Sequence, residues 1–157
     1  MSALHPNAQL VTDFYAGFAR QDPAPMRAAY AADAHFSDPA FPNLRGKAVG
    51  DMWTMLCTNA KEFRLEFRDV KADDTTGSAH WEAWYRFGGK RQVHNIIDAQ
   101  FTFVGGKISR HVDRFDFWRW SRQALGPAGM LLGWTPILRG AVASKAAAQL
   151  AAWQKRQ

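Results

Sequence analysis

A chain of 157 residues fits one domain and is too short for two ordinary ones. Its 47% hydrophobic and 13% aromatic content excludes intrinsic disorder for most of the length, and its single cysteine, Cys57, excludes an internal disulfide framework and a cysteine-based zinc cluster. The net charge of +6 belongs to residues 117–157, which hold six basic residues and no acidic one; residues 1–116 balance at 14 and 14, so the body lacks a basic stripe and no nucleic-acid partner is expected.

Leu10, Val11, Phe14 and Phe18 recur at helical spacing and predict a helix over 7–20. Asp22-Pro23 starts a second helix, with Met26, Ala29 and Tyr30 on its inner side. A short strand over 34–38 stops at Pro39. A loop fills 39–46, and a third helix over 47–60 carries Val49, Met52, Trp53 and Leu56 on one stripe. The period then changes to two. Phe63, Leu65 and Phe67 alternate with charged residues, and Thr75-Thr76-Gly77 turns the chain. Residues 79–87 alternate again. Gly88-Gly89 leads into a strand over 92–104, and Gly105-Gly106 returns the chain along 107–118. Helices followed by an antiparallel meander predict an α+β domain with helices on one face of a curved sheet.

Several segments combine here: Tyr30-Ala-Ala-Asp-Ala-His-Phe-Ser-Asp38-Pro39, the loop to Arg45-Gly46, Ile97-Asp98-Ala-Gln-Phe-Thr-Phe, and Gly106-Lys-Ile-Ser-Arg-His111-Val-Asp113-Arg-Phe-Asp116. In this order and spacing the chain resembles the NTF2-like superfamily, closest to the ketosteroid isomerases and the SnoaL-like polyketide cyclases, over residues 5–120. The resemblance implies a cone: a curved, mostly antiparallel sheet wrapped by three N-terminal helices around an apolar pocket. The domain covers 1–120, and a C-terminal helical extension, 121–157, packs on it. It also implies acid–base chemistry with no cofactor and no metal on a small apolar, carbonyl-bearing molecule, of isomerase, cyclase or dehydratase type. The isomerases carry their base in an Asp-Pro pair, which Asp38 matches. They keep a second Asp protonated ten residues before the Ile of the last hairpin, which Asp98 matches. Their oxyanion tyrosine on the first helix is Phe14 here, and Tyr15 points about 100° around the helix. SnoaL-like cyclases and limonene-epoxide hydrolases place an Asp in the last strand, as Asp113 is. The Arg and Asp that epoxide hydrolases need on an earlier strand fall at Trp81 and Ala83.

Strand alternation puts His94, Ile96, Asp98, Gln100 and Thr102 on one face, and Ile97, Ala99, Phe101 and Phe103 on the other. Asp98, set in a central strand beside isoleucines, is expected to be buried, neutral and able to donate to a developing enolate. Asp38 is then the ionised base. His111 and Asp113, two residues apart, form an alternative acid–base pair. Each has a structural alternative: Asp38 caps a turn, Asp98 pairs with His94, His111 or Arg110, and Asp113 pairs with Arg86 or Arg114. Phe14, Phe18, Tyr30, Phe36, Trp53, Trp81, Tyr85, His94 and Phe115 are the candidate ligand wall, which in a cone merges with the core. Tyr30 and Tyr85 are candidates to replace the oxyanion tyrosine. His94, Asp98, His111 and Asp113 match no metal-site spacing. The competing function is a non-catalytic module for binding a ligand or a protein.

Trp84, Ile97, Phe101 and Phe103 are expected on the outer sheet face, and a patch of that size predicts a homodimer. In the extension, residues 130–134 are too short to span a membrane. A helix from Pro136 to about Lys155 carries Leu138, Val142, Ala146, Leu150 and Trp153 in one stripe. It is expected to close the open end of the cone as a lid, with an anionic membrane as the rival surface for the basic tail. No apolar run is long enough for a span and the start lacks a signal-peptide pattern, so a cytoplasmic location is expected.

Overall fold

A computed structural model describes residues 4–157. Two helices come first, α1 (Pro6–Ala19) and α2 (Ala24–Ala29), and a third, α3 (Lys47–Asn59), follows the first two strands. Six strands, β1 (Tyr30–Ser37), β2 (Leu44–Arg45), β3 (Arg64–Ala72), β4 (Thr76–Phe87), β5 (Arg91–Val104) and β6 (Lys107–Arg114), form one open sheet in the order β2-β1-β6-β5-β4-β3. β1 and β6 run parallel, and every other pairing is antiparallel. The chain ends in α4 (Phe117–Leu125), α5 (Pro127–Leu132) and α6 (Pro136–Lys155).

Local chemistry accounts for the boundaries. His5 Nδ1 accepts from the Asn7 N–H at 3.0 Å and Pro6 opens the first turn of α1, whose Val11, Phe14, Tyr15 and Phe18 are buried. Gly46 precedes α3 with a φ of 61°, a conformation that glycine adopts without strain. The last strand is shorter than its alternation suggests. Asp116 accepts from the Arg119 N–H at 3.0 Å, so the carboxylate caps α4 and ends the extended chain. The turn expected at Thr75–Gly77 is made one step earlier. Asp73 Oδ1 takes the N–H groups of Thr75 and Thr76, and Gly77 lies inside β4, where a Cβ would crowd the Phe103 ring.

Register shifts in β1, β3 and β6 bend the sheet. The shift in β6 has a consequence for side-chain direction. Thr102 pairs with Arg110 and Phe103 with Ile108, which leaves Ser109 as the extra residue, so Ile108, His111 and Asp113 all turn inward.

In β5 the faces are the reverse of the expected ones. Val93, Asn95, Ile97, Ala99, Phe101 and Phe103 are buried against the helices, and His94, Ile96, Asp98, Gln100 and Thr102 face outward. Burial of the more apolar set decides the parity. Three of the four residues expected to form an outer dimer patch, Ile97, Phe101 and Phe103, are therefore core. Only Trp84 remains outside, covered by the Arg64 guanidinium 4.0 Å from its ring and by the His94 ring stacked at 4.4 Å.

α6 covers the range expected of it. Leu150 and Trp153 are buried in the main core, and Gln154 Nε2 donates to Asp51 Oδ2 at 2.8 Å, fixing α6 to α3. Among the described residues no helix is long and apolar enough to cross a membrane.

Candidate functional site

A cavity of about 390 Å³ lies between the inner sheet face, α1, α3, α4 and α6, within the range of small-molecule sites. Its wall is mostly apolar. Of the expected ligand residues, Phe18, Trp53, Trp81, Tyr85 and Phe115 line it. Phe14, Tyr30 and Phe36 lie one layer deeper, where Phe14 packs edge-on to Trp53 at 5.5 Å and Phe36 edge-on to His111 at 5.0 Å. The middle of α6 closes one side through Val142, Lys145, Ala146 and Gln149.

Two carboxyls open into this cavity, Asp38 and Asp113. Asp38 follows β1 directly. Its Oδ1 accepts from the N–H groups of Ala40 at 2.7 Å and Phe41 at 2.6 Å, and its own N–H returns to Phe41 O at 2.9 Å. The residue thus caps a turn, as one reading of Asp-Pro expects, and faces the cavity at the same time. Its Oδ2 takes no hydrogen bond among the described residues. Burial pushes the Asp38 carboxyl up to about 7; the Phe41 N–H opposes this, the charge of Asp113 adds to it, and the Ala40 N–H opposes it.

Asp113 sits on β6 beyond the bulge. Oδ1 accepts from His111 Nε2 at 2.8 Å and makes a long contact of 3.5 Å with Trp81 Nε1, while Oδ2 takes no hydrogen bond among the described residues. His111 is fully buried. Its Nδ1 is 2.7 Å from the Tyr30 hydroxyl, whose oxygen accepts from Trp53 Nε1 at 2.8 Å. The directions are consistent along the chain: Trp53 donates to Tyr30, Tyr30 to His111, and His111 to Asp113.

The two tyrosines considered as oxyanion donors now differ. Tyr30 spends its proton on His111. Tyr85 lines the cavity, and its oxygen accepts from Trp120 Nε1 at 2.8 Å, which leaves the O–H free to donate. Burial pushes Tyr85 up to about 12, with the Trp120 N–H opposing and the charge of Asp38 adding, so the hydroxyl keeps its proton. Tyr15 is buried beside Phe67 and Trp81, and its hydroxyl has no partner among the described residues.

Asp98 and His94 are not part of the cavity. The Asp98 side chain is 72% exposed on the outer face and accepts from His80 at 2.9 Å. His94 Nε2 lies 2.7 Å from Glu82 on the same face. Both follow from the reversed parity of β5. Sequence reasoning missed Asn95, which the same parity turns into the cavity. It also missed Trp120 and Leu125, which reach the cavity because the chain after Asp116 is helical. Among the described residues no cluster of His, Cys, Asp and Glu is arranged to hold a metal ion.

The family model described as SnoaL-like domain matches residues 11–111. Among solved structures, the chain is similar to an NTF2-like protein of unknown function from Burkholderia pseudomallei, with TM-score 0.67 and 19% identity over 77% of this chain and 98% of that one. It is similar to an LEH-like epoxide hydrolase of M. tuberculosis, with TM-score 0.65 and 17% identity over 81% and 96%. A candidate polyketide cyclase from Xanthomonas campestris gives TM-score 0.62 and 22% identity over 76% and 96%. At these identities the likeness is one of fold. No curated protein matches the chain in sequence.

Proposed function

The chain belongs to the SnoaL-like domain family, and from that premise we propose that it binds a small apolar, carbonyl-bearing molecule and moves a proton on it without a cofactor, as an isomerase, cyclase or dehydratase does. Asp113 is the base. Its free Oδ2 takes a proton from the carbon next to the carbonyl; the electron pair of that C–H bond forms the carbon–carbon double bond of the enolate, and the π pair of the carbonyl moves onto its oxygen. Asp38, holding its proton near neutral pH, donates to that oxygen together with the Tyr85 O–H. Return of the proton from Asp113 to a second carbon completes an isomerisation. His111 holds Asp113 in place through the bond to Oδ1.

One observation carries this reading: two carboxyls share an apolar cavity, each with one oxygen free, and burial beside a like charge keeps the proton on one of them. It exchanges the roles that the resemblance gives Asp38, from base to donor. Asp113 replaces Asp98 as the second carboxyl. Epoxide hydrolysis is not proposed, because Trp81 and Ala83 stand where its Arg and Asp are needed.

The test is solvent exchange of the activated protons of 2-tetralone, a bicyclic ketone, followed by NMR in D2O. The wild type accelerates exchange, and Asp113→Asn removes about 10²–10⁴ of that acceleration. Exchange unchanged in Asp113→Asn overturns the assignment. A wild type that binds the ketone, seen by quenching of its tryptophans, and exchanges nothing selects the binding-module reading, which the replacement of the helix-1 tyrosine by Phe14 favours.

A further inference from the structure

α5 and the turn into α6 hold Met130, Leu131, Leu132, Trp134 and Ile137 in solvent, with Leu131 at 69%, Trp134 at 75% and Ile137 at 85% exposure. Single exposed apolar residues are ordinary, but a contiguous run of this size marks an interaction surface. Exposure that high belongs to a protruding corner and not to a groove. The corner is also firm. Gly129 and Gly133 lie so close to Ser121 that no Cβ fits between them, and Trp118 Nε1 donates to Met130 O at 3.0 Å.

A cationic hollow adjoins the corner. Lys90, Arg91, Arg119 and Arg122 line it together with Met130. Among the described residues none of these four cations pairs with a carboxylate. Arg119 and Arg122 each bury an Nε that has no acceptor among the described residues. Buried donors without acceptors beside unpaired cations leave the hollow complementary to an anion.

We propose that this corner docks on an anionic lipid bilayer. Leu131, Leu132, Trp134 and Ile137 enter the boundary between headgroups and acyl chains, and Lys90, Arg91, Arg119 and Arg122 bind lipid phosphates. Apolar tips beside a cationic hollow suit that boundary, and Trp is at home there. A second copy of the chain suits it poorly, because an isologous contact brings the same cations face to face. The corner joins Leu125 to Val142, and both line the cavity. Docking therefore sets the cavity wall beside the phase in which an apolar ligand dissolves.

Co-sedimentation with vesicles tests this. The full chain pellets with phosphatidylcholine vesicles containing about 30% phosphatidylglycerol and not with phosphatidylcholine alone, and ~0.5 M NaCl weakens the binding. Leu131→Glu with Trp134→Glu, and separately Lys90→Gln with Arg122→Gln, each reduce binding by about tenfold or more. Far-UV circular dichroism of the first pair stays that of the wild type, since both side chains are exposed. Ile137→Glu, at the most exposed of these positions, carries the same expectation and serves if a double variant does not fold. No pelleting with anionic vesicles overturns the proposal, as does undiminished binding in the Leu131/Trp134 variant. A dimer in light scattering that this variant dissolves also overturns it and identifies a second copy as the occupant.

Discussion

The hydroxyl of Tyr30 lies 2.7 Å from Nδ1 of His111, and its direction is set from the far side of the ring, where the Asp113 carboxylate accepts from Nε2 and leaves Nδ1 to accept. The tyrosine proton therefore points at Nδ1, and His111 carries its own proton on Nε2, toward Asp113. One imidazole tautomer is selected by side chains from β1 and β6 together.

Tyr30→Phe breaks this chain at its centre and leaves Trp53 Nε1 and His111 Nδ1 buried without partners. The expected loss is about 1–3 kcal/mol in urea unfolding. Unchanged stability would mean that the two groups find other partners and that Tyr30 does not order the site.

Asp38 makes stability depend on pH in a defined direction. Its folded-state carboxyl is pushed up to about 7 by burial, against an ordinary value of 3.8. Below 3.8 both states are protonated. As pH rises from 3.8 to about 7 the unfolded chain releases the proton and the folded chain keeps it, so this contribution to stability shrinks and is lost through about 7. Asp38→Asn keeps an oxygen for the turn and cannot ionise. The variant should match the wild type near about pH 4 and exceed it by about 1–3 kcal/mol at about pH 8, measured by urea unfolding at both values. An Asp38→Asn protein that is less stable at high pH removes the buried-acid assignment.

The same titration governs the proposed chemistry. Ketone exchange should fall as pH rises through about 7, because the donor loses its proton. Tyr85→Phe removes the second donor and should slow exchange by about 10²-fold. The pH–rate profile of Asp38→Asn should lose this fall. A profile that keeps it assigns the titration to another group.

Burial separates two apolar residues of α6. Leu150 is 4% exposed and Ile137 is 85% exposed. Leu150→Ala should cost about 2–5 kcal/mol and open the cavity to a hydrophobic dye, whereas Ile137→Ala should stay within about 0.5 kcal/mol of the wild type. Thermal melts of the two variants, with dye fluorescence, check both.

The helices, the meander and the reach of α6 are legible in the sequence because apolar spacing of 3.6 or 2 repeats several times in each. Single-residue parity is harder. β5 has isoleucine in both phases, Ile96 and Ile97, so the neighbourhood of Asp98 is ambiguous. The wider set Val93, Ile97, Ala99, Phe101 and Phe103 carried the answer, since five apolar residues share the phase opposite to Asp98. Asp113 and His111 were legible as a pair two residues apart. Their inward direction relative to Ile108 depends on the bulge at Ser109, which alternation does not announce. The Asp116 cap stood in plain view before Phe117, but an aromatic-rich segment after a strand reads as more strand. The contact between Tyr30 and His111 depends on which strands neighbour each other, and periodicity holds no information on that.

The parallel pairing of β1 with β6 also has a kinetic meaning. It joins the first long strand to the last, and Tyr30 meets His111 across 81 positions of chain. Contacts of such separation form late, because the loop they close must be ordered before they reward it. On the ribosome, Tyr30, His111 and Asp113 stay apart until the chain has emerged past Asp113. A truncated or stalled chain carries the aromatic wall from α1 and α3 without His111 and Asp113, and the arrangement proposed for proton transfer appears only when β6 has paired with β1.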